Sequence, residues 1–159
     1  MSETLFGPAP HYLTTDDVYT PPQVFERLGL EFDVDVCAPP GGLPWVPARQ
    51  HYSVTDDGLT APWHGLVWMN PPYSDSSPWV DRFIEHGNGV ALVPFSKSTW
   101  FLNLWNLADA LAVPTREDGS INLHWIKGGK KDYSIFMPVV LAAFGDQSAA
   151  ALSAFGRVR

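Results

Sequence analysis

Leu66-Val67-Trp68-Met69-Asn70-Pro71-Pro72-Tyr73 runs from an apolar stretch straight into a double proline. A short unbroken apolar run suits a strand buried on both faces, the pattern of a parallel sheet covered by helices. The prolines end the strand, because each holds φ at about −65° and removes a backbone donor from any further ladder. Asn-Pro is also a common opener of ordinary turns, so the tetrapeptide taken alone reads either as a turn or as a stiff functional loop at a strand end.

The flanking sequence supports alternating strands and helices. Ser77 and Pro78 form a cap and first-turn pair for a helix to residue 86, residues 89–93 are the next buried strand, and residues 98–108 form a helix capped by Ser98 and apolar at Phe101, Leu104, Trp105 and Ala108. Upstream, Thr20-Pro21-Pro22-Gln23 combines a capping threonine, first-turn prolines and a capping-box glutamine, which predicts a helix to residue 28 that stops at Gly29. Residues 32–38 alternate as a strand before Pro39-Pro40-Gly41-Gly42, whereas 43–64 show no period and receive no long element. Strands at 111–113, 121–126 and within 138–144, a basic turn Gly128-Gly129-Lys130-Lys131, and a terminal helix from Gln147 complete the reading. The predicted fold is α/β, a mostly parallel sheet covered on both faces and ending in an antiparallel C-terminal hairpin. Ligands of such sheets collect just beyond the carboxyl ends of the strands, at the topological switch point.

The length of 159 residues suits one compact domain, read as residues 12–159 after a flexible arm over 1–11 that carries Gly7, Pro8 and Pro10. With 45% hydrophobic residues and one cysteine, the chain is neither disordered nor a disulfide scaffold. Cys37 reads as a small buried hydrophobe in a strand rather than a nucleophile. His11, His51, His64, His86 and His124 have no metal-ligand spacing, so no metal is expected. The N-terminal residues lack the pattern of a signal peptide and no apolar stretch is long enough to span a bilayer, so a soluble, cytoplasmic protein is expected. The net charge of −7 divides into −9 over residues 1–95 and +2 over 96–159. Any polyanion would have to meet a local patch drawn from Lys97, Arg116, Lys127, Lys130, Lys131, Arg157 and Arg159, and a solvated charged face is the alternative.

Asn70-Pro71-Pro72-Tyr73 resembles the Asn-Pro-Pro-Tyr motif of amino-group methyltransferases that use S-adenosylmethionine, and the stretch from Asp35 through Cys37 and Ala38 to Gly42 resembles a variant of their Asp-Pro-Phe-Ala-Gly-x-Gly cofactor loop. Pro39 and Pro40 depart from that loop by standing between Ala38 and Gly41. Asp17-Val18-Tyr19-Thr20-Pro21-Pro22, Asp56-Asp57-Gly58-Leu59 and Trp63-x-Gly-x-x-Trp68 are placed as in the small phage Dam-type DNA adenine methyltransferases, and the resemblance runs over residues 12–145. It implies a Rossmann-like S-adenosylmethionine-dependent methyltransferase fold, methylation of adenine N6 in double-stranded DNA, and residence in the host cytoplasm if the chain is phage-encoded. Other amines or amides, in RNA, protein glutamine or small molecules, are the alternative substrates, and a non-catalytic binding module of the same fold is the alternative class. Oligomeric state and target sequence are not legible.

An exocyclic amine conjugated to a base is a poor nucleophile. In the resemblance, the Asn70 side-chain oxygen and the Pro71 carbonyl accept its two hydrogens and localise its lone pair, which is catalysis by orientation and electrostatics without a strong base. Pro72 stiffens the loop, and Tyr73 offers a face for a flipped-out adenine. The expected cofactor residues are Thr20, Pro21, Asp35, Cys37, Ala38 and Asp57. Asp35 would take the methionine amino group or the ribose, and Asp57 the adenine, while Thr20 is equally readable as a helix cap and Asp57 as an exposed turn. Expected DNA contacts are Ser74, Lys97, Arg116, Lys127, Lys130 and Lys131, with the Gly128–Lys131 turn readable as solubilising or phosphate-binding. Trp63 and Trp79 flank the loop and are candidates for the substrate cleft. No separate recognition domain fits between the motifs, so base choice is expected from loops near 74–77 and 114–131.

Overall fold

Strand Phe32–Asp35 pairs in parallel with Ala48–His51 on one side and Val67–Met69 on the other, which seeds a six-stranded mixed sheet. The computed structural model describes residues 2–3, 5–6, 18–121, 123–127, 130–133 and 138–156, with the backbone alone at 2–3, 5–6, 127 and 130–133. In chain order the elements from residue 18 are β1 (Val18–Tyr19), α1 (Pro22–Leu28), β2 (Phe32–Asp35), β3 (Ala48–His51), β4 (Val67–Met69), α2 (Ser77–His86), β5 (Gly89–Pro94), α3 (Thr99–Leu107), β6 (Ala110–Ala112), β7 (Trp125–Lys127), β8 (Lys130–Tyr133), β9 (Val139–Phe144) and α4 (Asp146–Ala151). The main sheet runs β3-β2-β4-β5-β9-β6, its first four strands parallel and β9 antiparallel to both neighbours. The strand expected over 121–126 is β7, which pairs antiparallel with β8, a strand that takes in Lys130 and Lys131 of the expected turn, and with β1 in a separate three-stranded sheet, whereas the strand expected within 138–144 is β9 of the main sheet.

The period of two along each strand sorts side chains onto two buried layers. Val67 and Met69 join Ala91 and Val93 under Val80 and Phe83 of α2 and Phe101 and Leu104 of α3. Trp68, Val90 and Leu92 face the opposite layer, where α1 supplies Val24, Phe25 and Leu28 and the chain end supplies Leu152 and Phe155. Every residue of β5 and of β9 is buried, as expected for strands covered on both faces. Phe83 is wholly buried and meets Phe144 edge-on at 5.5 Å, a burial worth about 1.5–3 kcal/mol by area alone.

Several boundaries differ from the sequence reading. Helix α1 starts at Pro22 with Pro21 at the cap position and no side-chain cap, so Thr20 is not the cap. The prolines explain it: Pro22 brings no N–H to satisfy, and Val24 N donates to Pro21 O at 3.2 Å. The first strand stops at Asp35 rather than residue 38, because the Asp35 carboxylate accepts from Cys37 N at 3.3 Å and turns the chain. Cys37 consequently lies in a turn, half-buried, and not in a strand. At α2 the cap position is Ser76 and not Ser77, with the Ser76 hydroxyl donating to Pro72 O at 3.1 Å. The terminal helix begins at Asp146, ahead of Gln147. β3 was unforeseen, since Ala-Arg-Gln-His at an exposed sheet edge carries no apolar alternation. Most of the expected arm over 1–11, the Gly128-Gly129 turn, Arg157 and Arg159 lie outside the described residues.

Candidate active site

β2 leads to β3 on one side, while β4 lies on its other side, so the chain changes direction across the sheet between β2 and β4. Asp35 is registered beside Trp68, which places the residues following both strands at one crevice. A cavity of about 440 Å³ opens there, lined by Thr20, Asp35, Cys37, Ala38, Asp57 and all four of Asn70, Pro71, Pro72 and Tyr73. Its size falls in the usual range for a small-molecule site.

Asp35 is 3% exposed and is the one buried charged residue among the described residues. Burial raises its pKa to about 7, a shift only partly opposed by the Cys37 N–H. Its neighbour Asp33 does not enter the cavity: the Asp33 carboxylate accepts from Leu66 N at 2.8 Å and ties β2 to the start of β4. A parallel division holds at 56–57. Asp56 accepts from Ser53 N at 2.9 Å and so builds its own turn, whereas Asp57, at a positive φ of 54°, lines the cavity. Two carboxylates at one crevice favour a ligand that carries positive charge.

Across from Asp35, Thr20 is 2% exposed and Trp45 Nε1 anchors its carbonyl at 2.8 Å. The Thr20 hydroxyl accepts from Asn70 Nδ2 at 3.3 Å. This leaves Asn70 Oδ1 buried with no hydrogen-bond partner, an arrangement a native interior rarely tolerates unless a ligand completes it. The Tyr73 hydroxyl is likewise buried and unpartnered, and burial pushes it above the usual phenol range, so it stays protonated. The Pro72 carbonyl is taken by Asp75 N at 3.1 Å and by Ser76 Oγ, which stiffens the turn immediately after the loop.

The other expected site residues separate. Pro21 lines a neighbouring cavity of about 380 Å³ together with Arg116, not the one holding Asp35. Arg116 is bound to Asp118 at 3.2 Å. Ser74 lines a more open depression that shares Tyr73 with the main cavity, whereas Lys97 is exposed and is not among its lining residues. Lys127, Lys130 and Lys131 have their backbones on β7 and β8, and their side chains lie outside the description. Trp79 lines the main cavity, whereas Trp63 does not: its Nε1 donates to Gly58 O at 2.7 Å and its ring carries Arg82 at 4.8 Å. Unforeseen wall residues include Phe25, Leu43 and Tyr52, and Trp68, which the sequence singled out only within Trp63-x-Gly-x-x-Trp68, lines it as well. No group of metal-ligating side chains occurs among the described residues.

A family model described as DNA N-6-adenine-methyltransferase (Dam) matches residues 11–134. The chain belongs to this family. No individual curated protein matches it. Dam-family membership carries the reaction, transfer of a methyl group to the N6 amine of adenine in DNA, and thereby makes the protein an enzyme. The matched span contains the whole cavity wall, from Val18 to Trp79. Among the described residues of this Dam-family chain, no helix is long and apolar enough to cross a membrane.

Proposed function

We propose that the 440 Å³ cavity is the S-adenosylmethionine site of a Rossmann-like methyltransferase domain and that Asn70, Pro71, Pro72 and Tyr73 hold the target adenine of double-stranded DNA at its rim. The observation that carries this reading is the orphaned, buried Asn70 Oδ1 in the wall of a cavity whose other side holds a buried carboxylate. When bound, S-adenosylmethionine supplies an electrophilic methyl on a sulfonium. The cationic character of such a group fits the donor set: Asp35 pairs with the ammonium of its methionine part, and Asp57 accepts from its adenosine part. Cys37 and Ala38 line the intervening wall, with Ala38 fixed by its N–H to Tyr52 O at 2.8 Å. The strand order places an antiparallel strand next to last in the sheet, in keeping with a Rossmann-like arrangement completed by one reversed strand.

Asn70 Oδ1 accepts one hydrogen of the adenine amine and the Pro71 carbonyl accepts the other. Together they draw the lone pair out of conjugation and aim it into the cavity. Thr20 holds the Asn70 amide in the orientation that presents oxygen, not nitrogen, to the substrate. Tyr73, with its hydroxyl kept protonated by burial, presents an aromatic surface to a base removed from the duplex stack.

The test is transfer of labelled methyl from S-adenosylmethionine to unmethylated duplex DNA, with the modified nucleoside identified after digestion. The wild-type protein should yield N6-methyladenine. Asn70→Ala should bind the cofactor by calorimetry yet lose about 10²–10³ in kcat. Cofactor binding without label in DNA would reject the substrate assignment, and no cofactor binding would reject the site.

A further inference from the structure

Tyr73 forms part of two hollows, and only one of them contains the Asp35 carboxylate. The second is an open depression of about 550 Å³ between the turn after the catalytic loop, Ser74 to Ser77, and the segment after β5, Pro94 to Trp100. Strand register brings these segments together. Met69 pairs with Ala91, so Tyr73 and Phe95 both lie four residues beyond one rung of two adjacent parallel strands. Phe95 is 55% exposed, and it is the one exposed Phe, Tyr or Trp among the described residues. It is not loose: Phe95 N donates to Pro138 O at 2.9 Å, and its ring leans on buried Phe101 with centroids 4.7 Å apart. One face of the ring is thus braced by Phe101 while more than half of the residue stays open to solvent at the rim of the depression. The depression is lined by several hydroxyls and one exposed carboxylate, Asp75, and the exposed Lys97 stands in the chain between two of its lining residues, Ser96 and Ser98.

We infer that this depression receives the DNA strand that carries the target adenine, with Phe95 stacking against a base beside the extruded nucleotide. This deepens the reading above and rests on residues 70–73 holding the adenine. The cofactor occupies the hollow on the Asp35 side of Tyr73, so a nucleotide reaching Asn70 has to come over the other side of that ring. There the hydroxyls suit sugar and phosphate oxygens, Lys97 supplies a phosphate contact, and the Phe95 ring offers the sequence-tolerant stacking that every base accepts. Asp75 opposes a phosphate, which favours the 94–100 side of the depression for the phosphate contact.

The experiment compares wild type with Phe95→Ala, Phe95→Leu and Phe95→Trp, measuring binding to a fluorescently labelled unmethylated duplex, KM for DNA in methyl transfer, cofactor affinity and thermal melting. One lost base stack predicts a rise of about tenfold in Kd and KM for DNA in the Ala and Leu variants, recovery in the Trp variant, and cofactor affinity within twofold of wild type. Leu keeps an apolar contact with Phe101, so a loss in Leu that Trp restores reports the ring and not the fold. A KM for DNA within twofold of wild type in Phe95→Leu overturns the inference, as does a Trp variant no better than Leu. If the wild-type protein binds cofactor but methylates no DNA, the assigned substrate fails. If it methylates DNA and the Phe95 series is flat, only the stacking role fails.

Discussion

Asn70 Nδ2 and the Thr20 hydroxyl meet at 3.3 Å, and with the amide held this way Asn70 Oδ1 is left buried and unpartnered in the cavity wall. In the proposed mechanism Thr20 is a positioning residue for a group 50 positions away in the chain. Thr20→Val keeps the shape and removes the acceptor, leaving Nδ2 unpaired and the amide free to rotate. One neutral hydrogen bond is worth about 1 kcal/mol, so kcat should fall about fivefold with KM for DNA near wild type, and Thr20→Ser should restore it. Equal changes in kcat and KM would point instead to a general disturbance of the cavity.

Asp35 makes the protein sensitive to pH in two ways. Its pKa is raised from 3.8 to about 7 by burial, so between those values the folded state holds a proton that the unfolded chain has released. Stability therefore declines as pH rises from about 4 to about 7 and levels off above, and Asp35→Asn should abolish that slope in denaturant titrations. A cationic ligand favours the ionised carboxylate. Cofactor affinity should rise with pH up to about 7, by about tenfold per unit once the group is protonated, and binding at pH 6 should release a proton detectable by calorimetry in buffers of different ionisation enthalpy. A pH-independent affinity would remove Asp35 from the ammonium contact.

β4 and its end were legible because a short apolar run stopped by two prolines suits a buried strand, the neighbouring buried strand was legible in the same way, α2 was legible from its Ser77-Pro78 start, and α3 from its apolar spacing. β3 was not, since an exposed edge strand of Ala-Arg-Gln-His is held by backbone pairing to Phe32, Val34 and Asp35 and by nothing in its side-chain pattern. Thr20 was ambiguous because its hydroxyl suits a helix cap or a long-range partner equally, and the choice depends on Trp45 and Asn70 being folded against it. Asp33 and Asp35 look alike in sequence. Their separation comes from place along β2: mid-strand, Asp33 meets a backbone N–H of the neighbouring segment, and at the strand end Asp35 meets the cavity.

Arg82 acts on the site without lining it. Its guanidinium donates to Gly58 O at 3.1 Å and to Leu59 O and stacks over Trp63, whose own Nε1 also binds Gly58 O. This clamp holds the turn bearing Asp57 against the cavity. Arg82→Met keeps the apolar stem and deletes the donors, and it should weaken cofactor binding about fivefold with chemistry at saturating cofactor near wild type. Arg82→Lys should recover only part of the loss, since a single ammonium cannot reproduce the planar fork.

Gly58 tests the cavity wall most directly. A Cβ built there would lie 2.1 Å from the Val36 carbonyl and 2.9 Å from the Trp79 ring, so the obstacle on one side is backbone that cannot move aside as a side chain could. Gly58→Ala must therefore push the 56–59 turn away from β2 and Trp79, displacing Asp57 and breaking the contacts that Trp63 and Arg82 make to the Gly58 carbonyl. Overpacking of this kind costs about 1–3 kcal/mol, which a thermal melt would register as a lowered Tm. The functional loss should be larger in cofactor affinity than in stability, because the displaced turn forms a wall of the cavity and only a small part of the core. A Gly58→Ala protein with lowered Tm and unaltered cofactor affinity would exclude the 56–59 turn from the cofactor site and confine the ligand to the side formed by Thr20, Asp35 and Asn70.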